Sequence, residues 1–218
     1  MTPFADVNRR IAGACERAGV DRDSVHLVVV SKTQSDDAVR EVYDLGQRVF
    51  AENREQGLRA RADADLPDDI DWHFVGPLQS RKVKSVSQRC VLLQSLDRPK
   101  LARLWGDHSK VPALIQFNLA AEPQKSGYAP HDADQVIDEV LEAGVPVRGV
   151  MAIPPVADDP HDVRPWFALL YGIYERYRER YPGIEVCSMG MTDDFEVAIE
   201  EGSNMVRIGR AIFPGQRA

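Results

Sequence analysis

Val28-Val29-Val30-Ser31-Lys32-Thr33 is an apolar, β-branched run that ends on a lysine. A run of this kind, without period-two alternation, reads as a strand covered on both faces, with Lys32 at its carboxyl end. In parallel α/β folds that end is where chemistry is usually placed. A lone lysine leaving a strand is ordinarily a solvated surface charge, so the rest of the chain decides what Lys32 is for.

Working outward, a helix with Phe4, Val7, Ile11 and Ala18 on one face and Gly19 at its end precedes the strand at 25–31. Ser35 then caps a helix whose first turn holds Asp36 and Asp37 and whose apolar face is Val39 and Val42. The alternation continues, with further strands expected at 48–51, 72–75, 91–95, 113–118, 147–153, 184–188 and 205–208. Asp97 and Pro99 suit the cap and first turn of the helix after the fourth strand, and Thr192-Asp193-Asp194 the start of the last one. The longest helix, 163–181, carries Trp166, Phe167, Leu170, Ile173, Tyr174 and Tyr177 at core spacing. Eight strands alternating with helices predict an α/β chain folded as a single (β/α)8 TIM barrel with an extra N-terminal helix, one domain over 1–218. An open doubly wound sheet is the competing arrangement, because the pattern alone does not report closure.

The 218 residues include 27 basic and 34 acidic side chains, a net charge of −7. That balance argues against a nucleic-acid or anionic-membrane partner, and the short Arg81-Lys82-Val83-Lys84 cluster reads as a solvated face. There is no apolar stretch of about 18 residues to span a bilayer and no signal-peptide h-region, so a cytoplasmic protein is expected. Cys15, Cys90 and Cys187 form no C-x-x-C pair, as expected of reduced thiols, and no metal site is expected.

A barrel opens every strand's carboxyl end onto one rim. Those ends are Lys32, Asn53, His73, Asn118, Ser188 and Arg207, with no H-E-x-x-H, no G-x-S-x-G and no carboxylate pair spaced for glycoside hydrolysis. Two glycine-bearing turns, Ser188-Met189-Gly190-Met191-Thr192 and Arg207-Ile208-Gly209-Arg210, follow strands seven and eight, where barrels often hold phosphate on backbone N–H groups. Either turn alone is as well explained by tight chain reversal. A phosphate cradle beside a lysine at strand one suits an aldehyde cofactor anchored by its phosphate, and pyridoxal 5′-phosphate (PLP) fits that pair. The amine must be neutral to form a Schiff base, and partial desolvation beside Arg207 would act in that direction.

At these residues the chain also resembles a known family. Val30-Ser31-Lys32-Thr33, Ala51-Glu52-Asn53, Trp72-His73-Phe74-Val75-Gly76-Pro77-Leu78-Gln79-Ser80, Lys125-Ser126-Gly127, Ser188-Met189-Gly190-Met191-Thr192-Asp193-Asp194 and Val206-Arg207-Ile208-Gly209 resemble the pyridoxal phosphate homeostasis proteins. The resemblance covers nearly the whole chain. It implies a barrel like the N-terminal domain of alanine racemase, with PLP as a Schiff base on Lys32. It also implies Arg207 at the pyridine nitrogen, and Ser188 with the turn at Met189 and the N–H groups around Gly209 and Arg210 at the phosphate. Asn53 and His73 would line the ring. Many members have Thr-Lys-Pro where this chain has Thr33-Gln34-Ser35, and Gly-Glu-Asn-Tyr where it has Ala51-Glu52-Asn53-Arg54.

The resemblance further implies a role in vitamin B6 and amino-acid homeostasis, as a monomer that binds PLP and delivers it to PLP-dependent apoenzymes. A racemase of this lineage needs a tyrosine from a second domain, and with the sequence ending at Ala218 no such domain is expected. An arginine at the pyridine nitrogen also weakens the cofactor as an electron sink. A cofactor carrier is therefore expected ahead of an enzyme. A weak PLP-dependent amino-acid racemase and a Schiff-base barrel enzyme acting on a phosphorylated sugar stand as the alternatives.

Overall fold

Each apolar run becomes a strand whose side chains point alternately into the barrel and out toward the helices. In the computed structural model, which describes residues 1–214, the strands are β1 (His26–Val30), β2 (Val49–Glu52), β3 (Asp71–Phe74), β4 (Leu92–Leu96), β5 (Ala113–Phe117), β6 (Val147–Ala152), β7 (Val186–Ser188) and β8 (Met205–Ile208). The last four positions of the expected 1–218 domain lie outside the described residues. The helices are α1 (Pro3–Ala18), α2 (Asp36–Asp44), α3 (Glu55–Asp63), α4 (Val83–Ser87), α5 (Pro99–His108), α6 (Ala133–Glu142), α7 (Arg164–Arg180) and α8 (Phe195–Glu200). All neighbouring strands are parallel, in sequence order, and β8 returns to pair with β1, so the sheet is closed and the open alternative is excluded.

Several helix ends follow from local chemistry. Thr2 caps α1 by accepting from the Ala5 N–H, and Gly19 ends it in a left-handed conformation at φ 68°. Ser35 caps α2 through the Ala38 N–H, as its position predicts. Asp97 is not a cap: Arg98 takes the cap position without a side-chain bond, and the Asp97 carboxylate pairs with the Arg98 guanidinium instead. Pro99 does open α5. α8 begins at Phe195, later than Thr192, because Asp194 Oδ1 accepts the Met191 N–H at 2.6 Å and wraps the intervening residues into a turn.

Three apolar clusters fill the molecule. Val28, Ala51, Leu92, Leu114, Met151, Val186 and Met205 fill the barrel itself. The outward row, with Leu93, Ile115 and Val150, packs under Trp105, Ile137, Phe167, Leu170 and Tyr177 of the helices. The extra helix α1 lays Val7, Ile11 and Ala14 against Phe195 and Ile199 of α8, and Arg10 reaches Glu196 at 2.8 Å. Among the described residues no helix is long and apolar enough to cross a membrane.

Phe167 is fully buried in the largest cluster. Phe167→Ala is expected to remove about 3–5 kcal/mol of unfolding free energy, read as a lower urea midpoint with an unchanged slope.

Candidate functional site

The inward row of β1 is Val28 and Val30, and Lys32 continues its parity just beyond the strand. Lys32 is exposed, and among the described residues its amine has no hydrogen-bond or ion-pair partner. It sits in a turn closed by the Gln34 N–H donating to Ser31 O at 3.0 Å. Thr33, beside it, has a φ of 66°, a left-handed conformation uncommon in a β-branched residue.

Arg207 lies opposite Val28 across the β1–β8 seam and is 4% exposed. Its guanidinium donates to Ser188 Oγ at 2.6 Å and to Ala152 O, the end of β6, at 2.9 Å. Among the described residues no carboxylate comes within ion-pair distance of it. Burial pulls its pKa down to about 10, with Asp194 acting from further off in the opposite direction. The burial expected around Lys32 thus falls on Arg207.

Gln94, on the inward row of β4, has no place among the expected site residues, yet it links three of them. Arg207 can only donate, so Ser188 Oγ accepts from it and donates onward to Gln94 Oε1 at 2.8 Å. That orients the Gln94 amide, whose nitrogen lies 2.9 Å from His73 Nδ1 and donates to it. His73 is therefore the Nε2–H tautomer. A glutamine inside a strand carries no sequence signature of such a link; only its parity with Leu92 hinted that it points inward.

The rim set separates accordingly. Lys32 and the half-buried Asn53 lie at the rim. His73 does not: it is buried behind Gln94 and lines a cavity of about 440 Å³ with His26, Asp71 and Met205 at the barrel's opposite, amino-terminal mouth. Asn118 is spent on its own loop, donating to Glu122 O and Lys125 O at 2.9 and 3.0 Å. Met189 is buried among the helices, and its N–H is taken by Met205 O. Gly190, at φ 94°, passes under α8, where a Cβ would come within 2.9 Å of Phe195 Cα. Gly209 passes β1 so closely that a Cβ would stand 2.9 Å from Val30 O. Among the described residues, the Gly209 and Arg210 N–H groups have no protein acceptor, and the Arg210 side chain pairs with Asp193 on the surface.

The site thus offers one primary amine without a partner among the described residues, one buried guanidinium with no carboxylate in ion-pair contact, and backbone donors at a turn where only glycine fits. No group of three or more metal-ligating side chains occurs among the described residues. The alanine racemase N-terminal domain family matches residues 17–216. A pyridoxal phosphate homeostasis protein of Aquifex aeolicus is 39% identical over 218 residues, spanning 97% of this chain and 95% of its own. The chain belongs to the pyridoxal phosphate homeostasis protein family. Two solved structures agree with that membership. An unknown protein from Bifidobacterium adolescentis superposes with a TM-score of 0.89 at 30% identity, covering 97% of this chain and 93% of its own. PipY of Synechococcus elongatus PCC7942, with PLP bound, superposes at 0.77 with 30% identity, covering 95% and 99%.

Burial lowers the His73 pKa to about 4. Its folded value lies below the unfolded one of about 6.5, so the neutral ring contributes stability that is full above pH 6.5 and lost as pH falls toward 4. The expected loss is on the order of 3 kcal/mol. Urea unfolding at pH 7 and pH 4.5 checks it: His73→Gln is expected to lose correspondingly less than the wild type over that interval.

Proposed function

We propose that this chain holds PLP as a Schiff base on Lys32 and serves as a carrier of the cofactor in vitamin B6 and amino-acid homeostasis. The observation that carries the reading is the pairing of a free amine just beyond the carboxyl end of β1 with a buried guanidinium on the adjoining strand that makes no ion pair among the described residues. The residues present fit the cofactor. It is an anion carrying a phosphate and a ring acceptor. The site supplies N–H donors at Gly209 and Arg210, a cation at Arg207 and a glycine turn that admits close approach. The naming of relatives as pyridoxal phosphate homeostasis proteins and the PLP-bound state of PipY support the same reading.

When bound, the cofactor supplies an aldehyde carbon that condenses with a primary amine with loss of water. Lys32 provides that amine from an exposed turn, which leaves the linkage open to water and to other amines, as reversible loading and delivery require. Arg207 faces the ring nitrogen in this reading. It is protonated near neutral pH even at its lowered pKa, so it donates to that nitrogen and takes no proton from it. Ser188 Oγ stands beside it, and the Gly209 and Arg210 N–H groups hold phosphate. Asn53 borders the ring from β2. His73 acts only through Gln94, by setting the direction of the hydrogen bonds that reach Ser188 and Arg207.

An amine and a donor arginine hold a cofactor without providing a second acid or base at its far face, which favours the carrier over a racemase. The phosphorylated-sugar alternative uses the same amine, and the cofactor's colour separates it. Delivery to PLP-dependent apoenzymes by single copies of the chain in the cytosol belongs to the same proposal. Buried free thiols at Cys15, Cys90 and Cys187 suit that compartment.

Lys32→Ala is expected to abolish the visible Schiff-base absorption that appears on adding PLP, while changing stability by no more than about 0.5 kcal/mol, because the side chain is exposed. A variant that keeps the band overturns the assignment. Alanine racemisation by the loaded wild type, followed beside an authentic racemase, is expected to be undetectable, and measurable turnover would favour the enzyme.

A further inference from the structure

We propose that Arg61 is the positioning residue for Lys32, acting through the turn at 31–34; this deepens, and rests on, the Schiff-base reading above. Arg61 projects from α3 and is only 8% exposed. One nitrogen, NH2, donates to Ser31 O at 3.1 Å and to Gln34 O at 2.7 Å, so a single guanidinium grips both ends of the Lys32-Thr33 segment. Its Nε donates to the buried Glu52 at 3.1 Å, and NH1 pairs with Asp36 in the first turn of α2. Glu52 in turn accepts from Ser31 Oγ at 3.0 Å. Two carbonyls and two carboxylates from three different elements thus converge on one planar fork, which a lysine's single ammonium does not reproduce.

The consequence for Lys32 follows from what its side chain lacks. Among the described residues no hydrogen bond or ion pair holds its amine, so the backbone of the turn decides where the amine is presented. That backbone is in a conformation the chain would not choose locally, with Thr33 at φ 66°. Arg61 supplies the tertiary hold that keeps it there. It makes no hydrogen bond or ion pair to the amine, and its effect on cofactor loading is to keep the attacking amine from wandering.

The test uses the full chain and two readouts. In cofactor-free protein, hydrogen exchange is measured at the Gln34 amide, whose bond to Ser31 O closes the turn. In the same proteins, the rate and affinity of Schiff-base formation with PLP are read from visible absorption, beside thermal melting. Arg61→Lys keeps the charge beside Glu52 but loses the fork. It is expected to raise Gln34 exchange at least tenfold and weaken PLP binding at least tenfold while still melting cooperatively. If that variant fails to fold, Glu52→Gln with Arg61→Met removes both buried charges together, and the same two increases are expected. Adding Thr33→Gly to Arg61→Lys should recover most of the PLP affinity without raising the melting temperature, because glycine takes the left-handed conformation without a hold. Wild-type exchange at Gln34 in the variants overturns the proposal, as does a loss of affinity that follows the melting temperature and is not recovered by Thr33→Gly. A wild type that forms no Schiff base, with exchange still raised in Arg61→Lys, overturns the carrier reading and leaves Arg61's hold on the turn standing.

Discussion

β1 pairs with β2 on one side and with β8 on the other, and the rest of the molecule depends on that double pairing. It leaves no free sheet edge, and it commits every strand to one alternation of inward and outward side chains. Val28 comes to face the interior opposite Arg207, and Lys32 inherits the same row two steps further on. A slip of one residue in β1 would send Lys32 toward the helices. The outward alternates, Leu27 and Val29, are locked into the helix layer with Ile208 and Phe195, which makes such a slip expensive.

The barrel interior is apolar at most positions, yet it contains an arginine. A buried charge without a carboxylate partner is tolerable only if neutral acceptors take up its donors. Ser188 and the Ala152 carbonyl do so, and Gln94 and His73 extend the chain toward the far mouth. Every group in that chain has its donor or acceptor role set by its neighbour, beginning with an arginine that can only donate. This order holds the guanidinium still with no carboxylate of the described residues in ion-pair contact, Asp194 acting only from further off. An anionic, acceptor-bearing molecule is what such a cavity suits.

Rigidity outside the barrel is arranged differently. The loop after β5 is fastened by Asn118 to its own backbone, and the turn after β1 by an arginine from a helix thirty residues further along the chain. The interior thus supplies fixed electrostatics, while the turn presents a reactive group that must stay reachable.

The strand and helix order, the eightfold count and the location of Lys32 were legible in the sequence, because apolar periodicity and capping residues such as Ser35 and Gly19 are local signals. Boundaries moved where a side chain took a different local partner from the expected cap, Asp97 pairing with the next residue Arg98 and Asp194 accepting the Met191 N–H. The motif residues Lys32, Ser188, Arg207 and Gly209 could be named in advance, since each stands at a strand end. Depth could not. His73 was grouped with the rim although it stands inside β3, before its carboxyl end, and its inward side chain meets the opposite mouth. Gln94 and Arg61 were invisible for a related reason. Nothing in a lone glutamine or a helical arginine says which distant carbonyls and hydroxyls the closed barrel will bring to it. Local periodicity determined the elements and the reactive amine; closure of the sheet alone decided which polar groups share its interior, because that is settled by register between strands far apart in the chain.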